Sequence, residues 1–128
     1  MKKLLIIILL FGIQISFISC SKDNDTTTTD SLAEKTMLNV SYGNNSLQKY
    51  DLYLPANRSS NKTKVIMLVH GGGWTGGDKA DMDFFISYIK QRHPDYAIVN
   101  INYMLADINT PAFPNQFLDV DAIINKLT

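Results

Sequence analysis

Cysteine is almost absent from this sequence of 128 residues, which contains one, Cys20. A lone cysteine cannot form a disulfide within the chain, so packing must stabilise the fold even in an oxidising compartment. An excess of charge of either sign is also lacking, because 12 Lys and Arg residues balance 12 Asp and Glu residues. The chain therefore has no basic excess for a nucleic-acid backbone, and we expect no nucleic-acid partner.

Long apolar runs are lacking too, apart from one near the N-terminus. Lys2 and Lys3 precede a mainly apolar run over residues 4–18, which polar residues then end. Crossing a membrane takes about 20 apolar residues, and this run is shorter. A short cationic segment followed by such a run is typical of a secretory signal, so we predict a signal peptide over residues 1–20.

The single cysteine directly follows this apolar run. Cys20 stands where a bacterial lipoprotein signal carries its lipidated cysteine, and the small residue Ser19 precedes it, although Phe17 replaces the usual leucine. We therefore expect an exported protein, anchored to a bacterial membrane through lipidated Cys20. The alternative is ordinary cleavage near Ser19, which would leave a periplasmic or extracellular protein with no other membrane contact.

The next segment has the composition of a tether. Residues 21–31 contain no apolar side chain to bury, so the entropy of ordering them is not offset. We predict a disordered tether over residues 21–36 and a folded domain over residues 37–128.

The folded part alternates strand and helix patterns. Period-two alternation predicts a pair of strands around Leu38–Tyr42 and Tyr50–Leu54, and apolar runs predict strands buried on both faces at Val65–Val69 and Tyr96–Tyr103. Helical spacing predicts one helix over Asp81–Gln91, with Met82, Phe85, Ile86 and Ile89 on the sheet. It predicts a second over Pro114–Leu127, with Phe117, Val120, Ile124 and Leu127 as its apolar stripe. This order indicates an α/β fold with a mostly parallel sheet and flanking helices.

The loop between the first buried strand and the first helix is rich in glycine. It reads His70-Gly71-Gly72-Gly73-Trp74, and Gly76 and Gly77 follow. Consecutive glycines lose much conformational entropy on folding, so a tight turn with close approach of backbone to a ligand is the natural reason for them. Backbone N–H groups fixed in such a loop can stabilise an oxyanion strongly.

With this loop the chain resembles the carboxylesterase and lipase family of the α/β-hydrolase fold, whose oxyanion-hole motif is His-Gly-Gly-Gly after a strand. Other pieces of the family's N-terminal half match in order: Asp51–Pro55, Asn102-Tyr103 and Phe113–Val120. The resemblance covers roughly residues 38–127 and implies the N-terminal half of such a fold. It is closest to exported esterases, including those that deacylate plant polysaccharides.

The resemblance also implies roles for residues. The N–H groups of Gly72 and Gly73 would form the oxyanion hole, Gly71 would shape the turn, and His70 would support the loop structurally. Trp74 would pack beneath the loop or line an acyl pocket. No cofactor and no metal are implied, and the substrate would be a small-molecule or carbohydrate ester.

Several acidic residues have simpler interpretations. Asp78, Asp81 and Asp83 stand near the start of the first helix, where carboxylates favour the helix dipole. Asp119 and Asp121 are two positions apart on a helix and cannot face each other as an acid and base pair. We expect Asp119 to be structural and Asp121 to be solvated.

The catalytic nucleophile of such an enzyme is missing. No G-x-S-x-G motif occurs, Ser87 falls within a predicted helix, and His93 stands at a helix end before a proline. In the family the nucleophile, the acid and the histidine follow the glycine loop in that order. We therefore expect an N-terminal fragment of an exported serine esterase that is inactive alone and folds poorly, because its last strand would be an apolar edge.

Two other interpretations remain open. The stretch from Gly71 to Gly76 also matches the dinucleotide fingerprint G-x-G-x-x-G, but the acidic residue expected about 20 positions on is replaced by Asn100 and Asn102. The chain could also be a complete surface lipoprotein that binds a small ligand without catalysis.

Overall fold

Residues 32–128 are described by the computed structural model of the chain. These residues form β1 (Lys35–Ser41), β2 (Lys49–Leu54), β3 (Val65–Val69), a 3₁₀ helix (Lys79–Met82), α1 (Asp83–Arg92), β4 (Ala97–Ile101) and α2 (Asn115–Leu127). The predicted signal peptide, Cys20 and residues 21–31 of the predicted tether lie outside the described residues. Neither α-helix of the described part has the length and hydropathy needed to cross a membrane.

The ordered part begins earlier than the sequence indicated. β1 starts at Lys35, which pairs with Leu54, inside the segment predicted as tether. The backbone before it is bound to the loop after β2, because the Leu32 carbonyl accepts from the Asn57 N–H at 2.8 Å and the Ala33 carbonyl accepts from Arg58 at 2.7 Å. Backbone pairing, which side-chain composition does not reveal, orders residues 32–36.

The four strands of the described part form a mixed sheet in the order β1-β2-β4-β3. β2 pairs antiparallel with both β1 and β4, whereas β3 and β4 run parallel and are joined through α1. The α/β fold and the parallel pairing predicted for the two apolar strands are therefore confirmed. The strand–helix–strand connection also explains the parallel pairing, since a tight turn cannot join parallel strands.

The prediction that the last strand forms an edge of the sheet was wrong. Every residue of β4 is buried, because β4 lies between β2 and β3. β3 was predicted to be buried on both faces, yet within the described residues it pairs only with β4, and Val65 remains 57% exposed. The apolar edge expected at the last strand thus lies at β3, because the chain crosses back to place β4 inside.

The two helices cover opposite faces of the sheet. Ile86 of α1 packs with Leu68 and Ile98 on one face, with Met82 and Ile89 around them. Ile123 of α2 joins a second core cluster on the other face, where its buried partners are Tyr50, Leu52, Val99 and Ile101. Neighbouring residues of β4 point to opposite faces, as the alternation of a strand requires.

The predicted apolar stripe of α1 is confirmed except at one position. Ile86 is buried and Met82 and Ile89 are partly buried against the sheet, but Phe85 is 48% exposed and pairs edge to face with Phe84. Met82 belongs to the 3₁₀ helix that precedes α1. Within α1, Phe85 lies about 100° around the helix from Ile86, at the margin of the stripe, which explains why it remains half exposed.

The buried face of α2 is rotated relative to the prediction. Gln116, Asp119 and Ile123 are buried, whereas Phe117 and Ile124 of the predicted stripe are 59% and 46% exposed. Val120 and Leu127 lie at the core as predicted. The prediction was wrong for Phe117 and Ile124 because a polar side chain such as Gln116 is assigned to solvent unless its buried partners are known.

The two adjacent isoleucines of α2 provide a matched test of this rotation. In the 128-residue protein, Ile123→Ala should lower the free energy of unfolding by about 2–5 kcal/mol, the usual cost of truncating a buried isoleucine. Ile124→Ala makes the same chemical change at the next helix position and should alter it by less than about 0.5 kcal/mol. Urea denaturation of both variants measures the difference. Equal losses would contradict the observed orientation of α2.

Candidate active site

The glycine loop connects the end of β3 to the 3₁₀ helix, and its backbone is left-handed at several positions. Positive φ angles occur at Gly72 (114°), Gly73 (61°) and Gly77 (96°). A Cβ atom at Gly72 would collide with the carbonyl oxygen of Gly76. Gly71 has neither a positive φ nor a close neighbour at its Cβ position, so the turn is shaped at Gly72, Gly73 and Gly77.

His70 lies beneath the loop and bonds to its backbone. Its ring is buried, and Nδ1 lies 2.8 Å from the Gly71 carbonyl oxygen, which can only accept, so Nδ1 carries the proton. The ring stacks on Tyr103 with centroids 4.3 Å apart, and the Tyr103 hydroxyl donates to the His70 carbonyl at 2.8 Å. Burial raises the pKa of Tyr103, which keeps this hydroxyl protonated as a donor.

Lys79 binds the C-terminal end of the loop to the sheet through three of its atoms. Its Nζ forms an ion pair with Asp51 of β2 at 2.6 Å. Its backbone N–H donates to Asn102 Oδ1 at 2.6 Å, and its carbonyl accepts from Asn100 Nδ2 at 2.8 Å. Asp51 also accepts from the N–H of Asn39 in β1 at 2.7 Å. We call this set of contacts the Lys79 anchor.

Asp78 caps the 3₁₀ helix that precedes α1. The Asp78 side chain accepts from the Ala80 N–H, and Asp81 accepts from the Asp78 N–H in return, which completes a capping box. Asn102 Nδ2 donates to Asp78 at 2.7 Å. The hydrogen bond from Ala80, followed by that from Asn102, lowers the pKa of Asp78.

Asn102 also bears on the dinucleotide interpretation. Both ends of its side-chain amide are occupied by Asp78 and Lys79, at the strand end where the fingerprint requires a free carboxylate. β1 and β2, which precede β3 in the chain, pair antiparallel with their neighbours, unlike the opening of a dinucleotide-binding unit. The geometry therefore favours an anchoring role for Asn102.

The start of α2 holds the segment that follows β4. Asp119 is buried and accepts from Gln48 Nε2 at 2.7 Å and from the Met104 N–H at 2.8 Å. Gln116 donates to the Met104 carbonyl at 2.7 Å. Asp121, by contrast, is exposed and contacts Asn125 of its own helix. The position of Tyr103, next to Met104, therefore depends on buried polar groups of α2.

The loop surrounds an open groove and presents unused donors. The groove has a volume of about 360 Å³ and is lined by Val69, His70, Gly71, Gly73, Trp74 and Tyr103. Within residues 32–128, the hydrogen bonds of the loop involve carbonyl groups such as that of Gly72, but not the N–H groups of Gly72 and Gly73. These two N–H groups therefore have no hydrogen-bond partner among the described residues, and of the two glycines Gly73 lines the groove.

Other candidate catalytic side chains lie apart from the loop. Ser87 is exposed on α1, in a surface depression with Tyr53, Asp83, Ile86 and Lys90. His93 stacks on Tyr96, just before β4, whereas the glycine loop follows the opposite, carboxyl end of parallel β3. In the part of the chain that the structure describes, no three His, Cys, Asp or Glu side chains could hold a metal ion.

Comparison with known proteins identifies the family. The BD-FAE family model, which describes esterases of the α/β-hydrolase fold, matches residues 50–128. A protein described as probable carboxylesterase 16 of Arabidopsis thaliana is 39% identical over 92 residues, which are 68% of this chain and 20% of that protein. The chain thus spans about a fifth of the curated relative that it matches.

Solved structures agree on the fold. Esterase B from Lactobacillus rhamnosis is 24% identical with a TM-score of 0.54, and the match covers 74% of this chain and 30% of that one. A truncated carbohydrate esterase from gut microbiota is 24% identical with a TM-score of 0.58, and the match covers 73% and 32%. The fold is part of an α/β-hydrolase fold. The chain belongs to the BD-FAE family.

Two adjacent glycines test the loop geometry. Gly77→Ala should destabilise the protein by about 1–3 kcal/mol or more, because the left-handed backbone is unfavourable for alanine and the new Cβ would collide with Gly71 and His70. Gly76 has open space at its Cβ position and no positive φ, so Gly76→Ala should be neutral or slightly stabilising, by up to about 1 kcal/mol. Thermal or urea unfolding compares them. A similar loss in both variants would refute this loop conformation.

The cap at Asp78 predicts a pH dependence of stability. A carboxyl group whose pKa is lower in the folded than in the unfolded chain stabilises the fold while ionised. For Asp78 this contribution is complete above the unfolded pKa of about 3.9 and is lost as the pH falls through the folded value. The difference in unfolding free energy between wild type and Asp78→Asn should therefore shrink below about pH 4.

Unfolding in urea between pH 3 and pH 7 measures this difference. Asp121→Asn removes the same charge from the exposed face of α2 and serves as the control. A difference between wild type and Asp78→Asn that stays constant across the range would show that ionised Asp78 does not stabilise the fold.

Proposed function

We propose that this chain provides the oxyanion-hole part of a serine carboxylic-ester hydrolase. The observation that carries the proposal is the pair of N–H groups at Gly72 and Gly73 that make no hydrogen bond within residues 32–128. Gly73 lines an open groove at the carboxyl end of a parallel strand, and Gly72 precedes it in the same loop. Membership of an esterase family supports the reaction class. This chain spans about a fifth of one relative and a third of another, so the activity of a whole enzyme is part of the proposal.

The chemistry follows from where charge develops during ester hydrolysis. When a nucleophile attacks the ester carbon, the carbonyl oxygen becomes an oxyanion, and two fixed N–H donors bind it more tightly than the neutral carbonyl. Each such donor is worth about 2.7–4 kcal/mol of barrier when its loss is measured. The left-handed backbone at Gly72 and Gly73 and the Lys79 anchor fix these donors before substrate binds.

The nucleophile and base of this proposed enzyme come from outside residues 32–128. Ser87 lies exposed on a helix with no histidine among its groove neighbours. His70 uses Nδ1 to bond the Gly71 carbonyl, and its buried ring lies against Tyr103, so we assign it a supporting role and not that of a base. Residues 32–128 alone are therefore expected to show no serine-dependent turnover.

Localisation and substrate class extend the proposal beyond the described residues. Export, with a lipid anchor at Cys20, rests on the signal-like sequence of residues 1–20. We also propose acylated carbohydrates as the substrate class, because the sequence resembles exported esterases that deacylate polysaccharides. One structure of the same fold is described as a carbohydrate esterase.

Removal of a single donor tests the proposal. Incorporation of glycolic acid at position 73 replaces the backbone N–H of Gly73 by an ester oxygen and adds no side chain. In the intact gene product we expect kcat for p-nitrophenyl acetate to fall by about 10²–10³, with a small change in KM, because the donor acts mainly in the transition state.

The same replacement at Gly76 is the matched control, since Gly76 belongs to the same loop but is not a proposed donor. Its kcat should stay within a few fold of the wild-type value. Equal losses at the two positions would indicate a general disturbance of the loop, and an unchanged kcat at position 73 would overturn the proposed oxyanion hole.

A further inference from the structure

Trp74 has a backbone conformation that is unusual for a residue with a large side chain. It directly follows Gly73 and has a φ of 69°, in the left-handed region where glycine would be favoured. The Trp74 carbonyl accepts from the Ala106 N–H at 2.8 Å, which fixes the position of the residue. Residues held in such strained conformations cluster at functional sites, and Trp74 lies beside the proposed oxyanion donors.

The ring begins a row of exposed aromatic side chains. The ring centroid of Trp74 lies 5.4 Å from that of Tyr103, in an edge-to-face contact, and 6.0 Å from that of Phe117. The centroids of Phe117 and Phe113 are 5.6 Å apart. Only Tyr103 is buried, whereas Trp74, Phe117 and Phe113 are 39%, 59% and 73% exposed. We call Trp74, Phe117 and Phe113 the aromatic row.

The aromatic row continues directly from the groove beside Gly73. Trp74 and Gly73 both line that groove, and none of its lining residues is Asp, Glu, Lys or Arg. A ligand whose carbonyl oxygen reached the Gly73 N–H would therefore have the Trp74 ring as its neighbour. An apolar group there would remove aromatic surface from water, whereas a charged group would find no partner among the lining residues.

We propose that Trp74 and Phe117 form a specificity-determining surface that binds an apolar group of the ester. The proposal rests on the oxyanion hole proposed above, since a carbonyl bound at the Gly73 N–H brings the rest of the ester next to Trp74, and Phe117 is the next ring along the aromatic row. An apolar acyl chain and an apolar alcohol chain have the same chemistry for this surface, and the experiment below separates them. The surface selects for the length of the apolar group.

Fluorescence can test this directly, because Trp74 is the single tryptophan of the sequence. The 128-residue protein is titrated with one series that lengthens the acyl side (ethyl acetate, ethyl butanoate, ethyl hexanoate) and one that lengthens the alcohol side (butyl acetate, hexyl acetate). We expect a saturable blue shift of the Trp74 emission. In one of the series the dissociation constant should fall about fourfold for each methylene group buried.

Matched phenylalanine variants locate the surface. Phe117→Ala removes an exposed ring of the aromatic row and should weaken binding of the longest ester roughly fivefold or more, about the effect of one or two buried methylene groups. Phe84→Ala removes a similarly exposed ring from α1 and should leave binding unchanged. Both side chains are exposed, so neither change threatens the core.

The absence of a saturable shift overturns the proposal, as do dissociation constants that do not depend on chain length. Equal effects of Phe117→Ala and Phe84→Ala, or none from Phe117→Ala, also overturn it, because the bound ester would then make no specific contact with Phe117. These readouts require no turnover. Failure here is therefore distinguishable from failure of the oxyanion hole, which the Gly73 replacement measures separately.

Discussion

The position of the glycine loop depends on the Lys79 anchor. Lys79 is the first residue after the loop. It is bound to β2 through the ion pair with Asp51, and to the end of β4 through Asn100 and Asn102. A buried ion pair contributes little net stability unless its geometry is good and its remaining hydrogen bonds are made. Here Asp51 also accepts from Asn39, so the pair specifies where the loop lies.

Beneath this anchor, a second set of contacts holds the start of the loop. Tyr103 stacks on His70 and donates to its carbonyl, and the segment after Tyr103 is held by Asp119 and Gln116 of α2. Both ends of the loop are thus fixed by side chains at the carboxyl ends of β3 and β4 and by the helix that follows. Such fixing lets backbone donors act on a developing charge without reorganising first.

The order of strands and helices was predictable from the sequence, since periodicity and apolar runs report which elements form. The family resemblance carried by His70 to Gly73 was confirmed. The position of β4 between β2 and β3, which leaves β3 paired only with β4 among residues 32–128, was not predictable, because an apolar run does not reveal the order of strands in a sheet. Asp119 was expected to be structural, and it is buried, but its partners Gln48 and Met104 were not predicted; the burial of Gln116 and the pairing of Asp51 with Lys79 were missed. Contacts between residues 12 to 71 positions apart leave no local pattern.

The central claim is that the N–H groups of Gly72 and Gly73 bind the oxyanion of an ester under attack. It is tested most directly by a structure of the intact gene product after reaction with a phosphonate ester, whose phosphoryl oxygen imitates the oxyanion. The account predicts that oxygen within about 2.7–3.1 Å of both nitrogen atoms. A phosphoryl oxygen bonded elsewhere, with both N–H groups unengaged by it, would contradict the account.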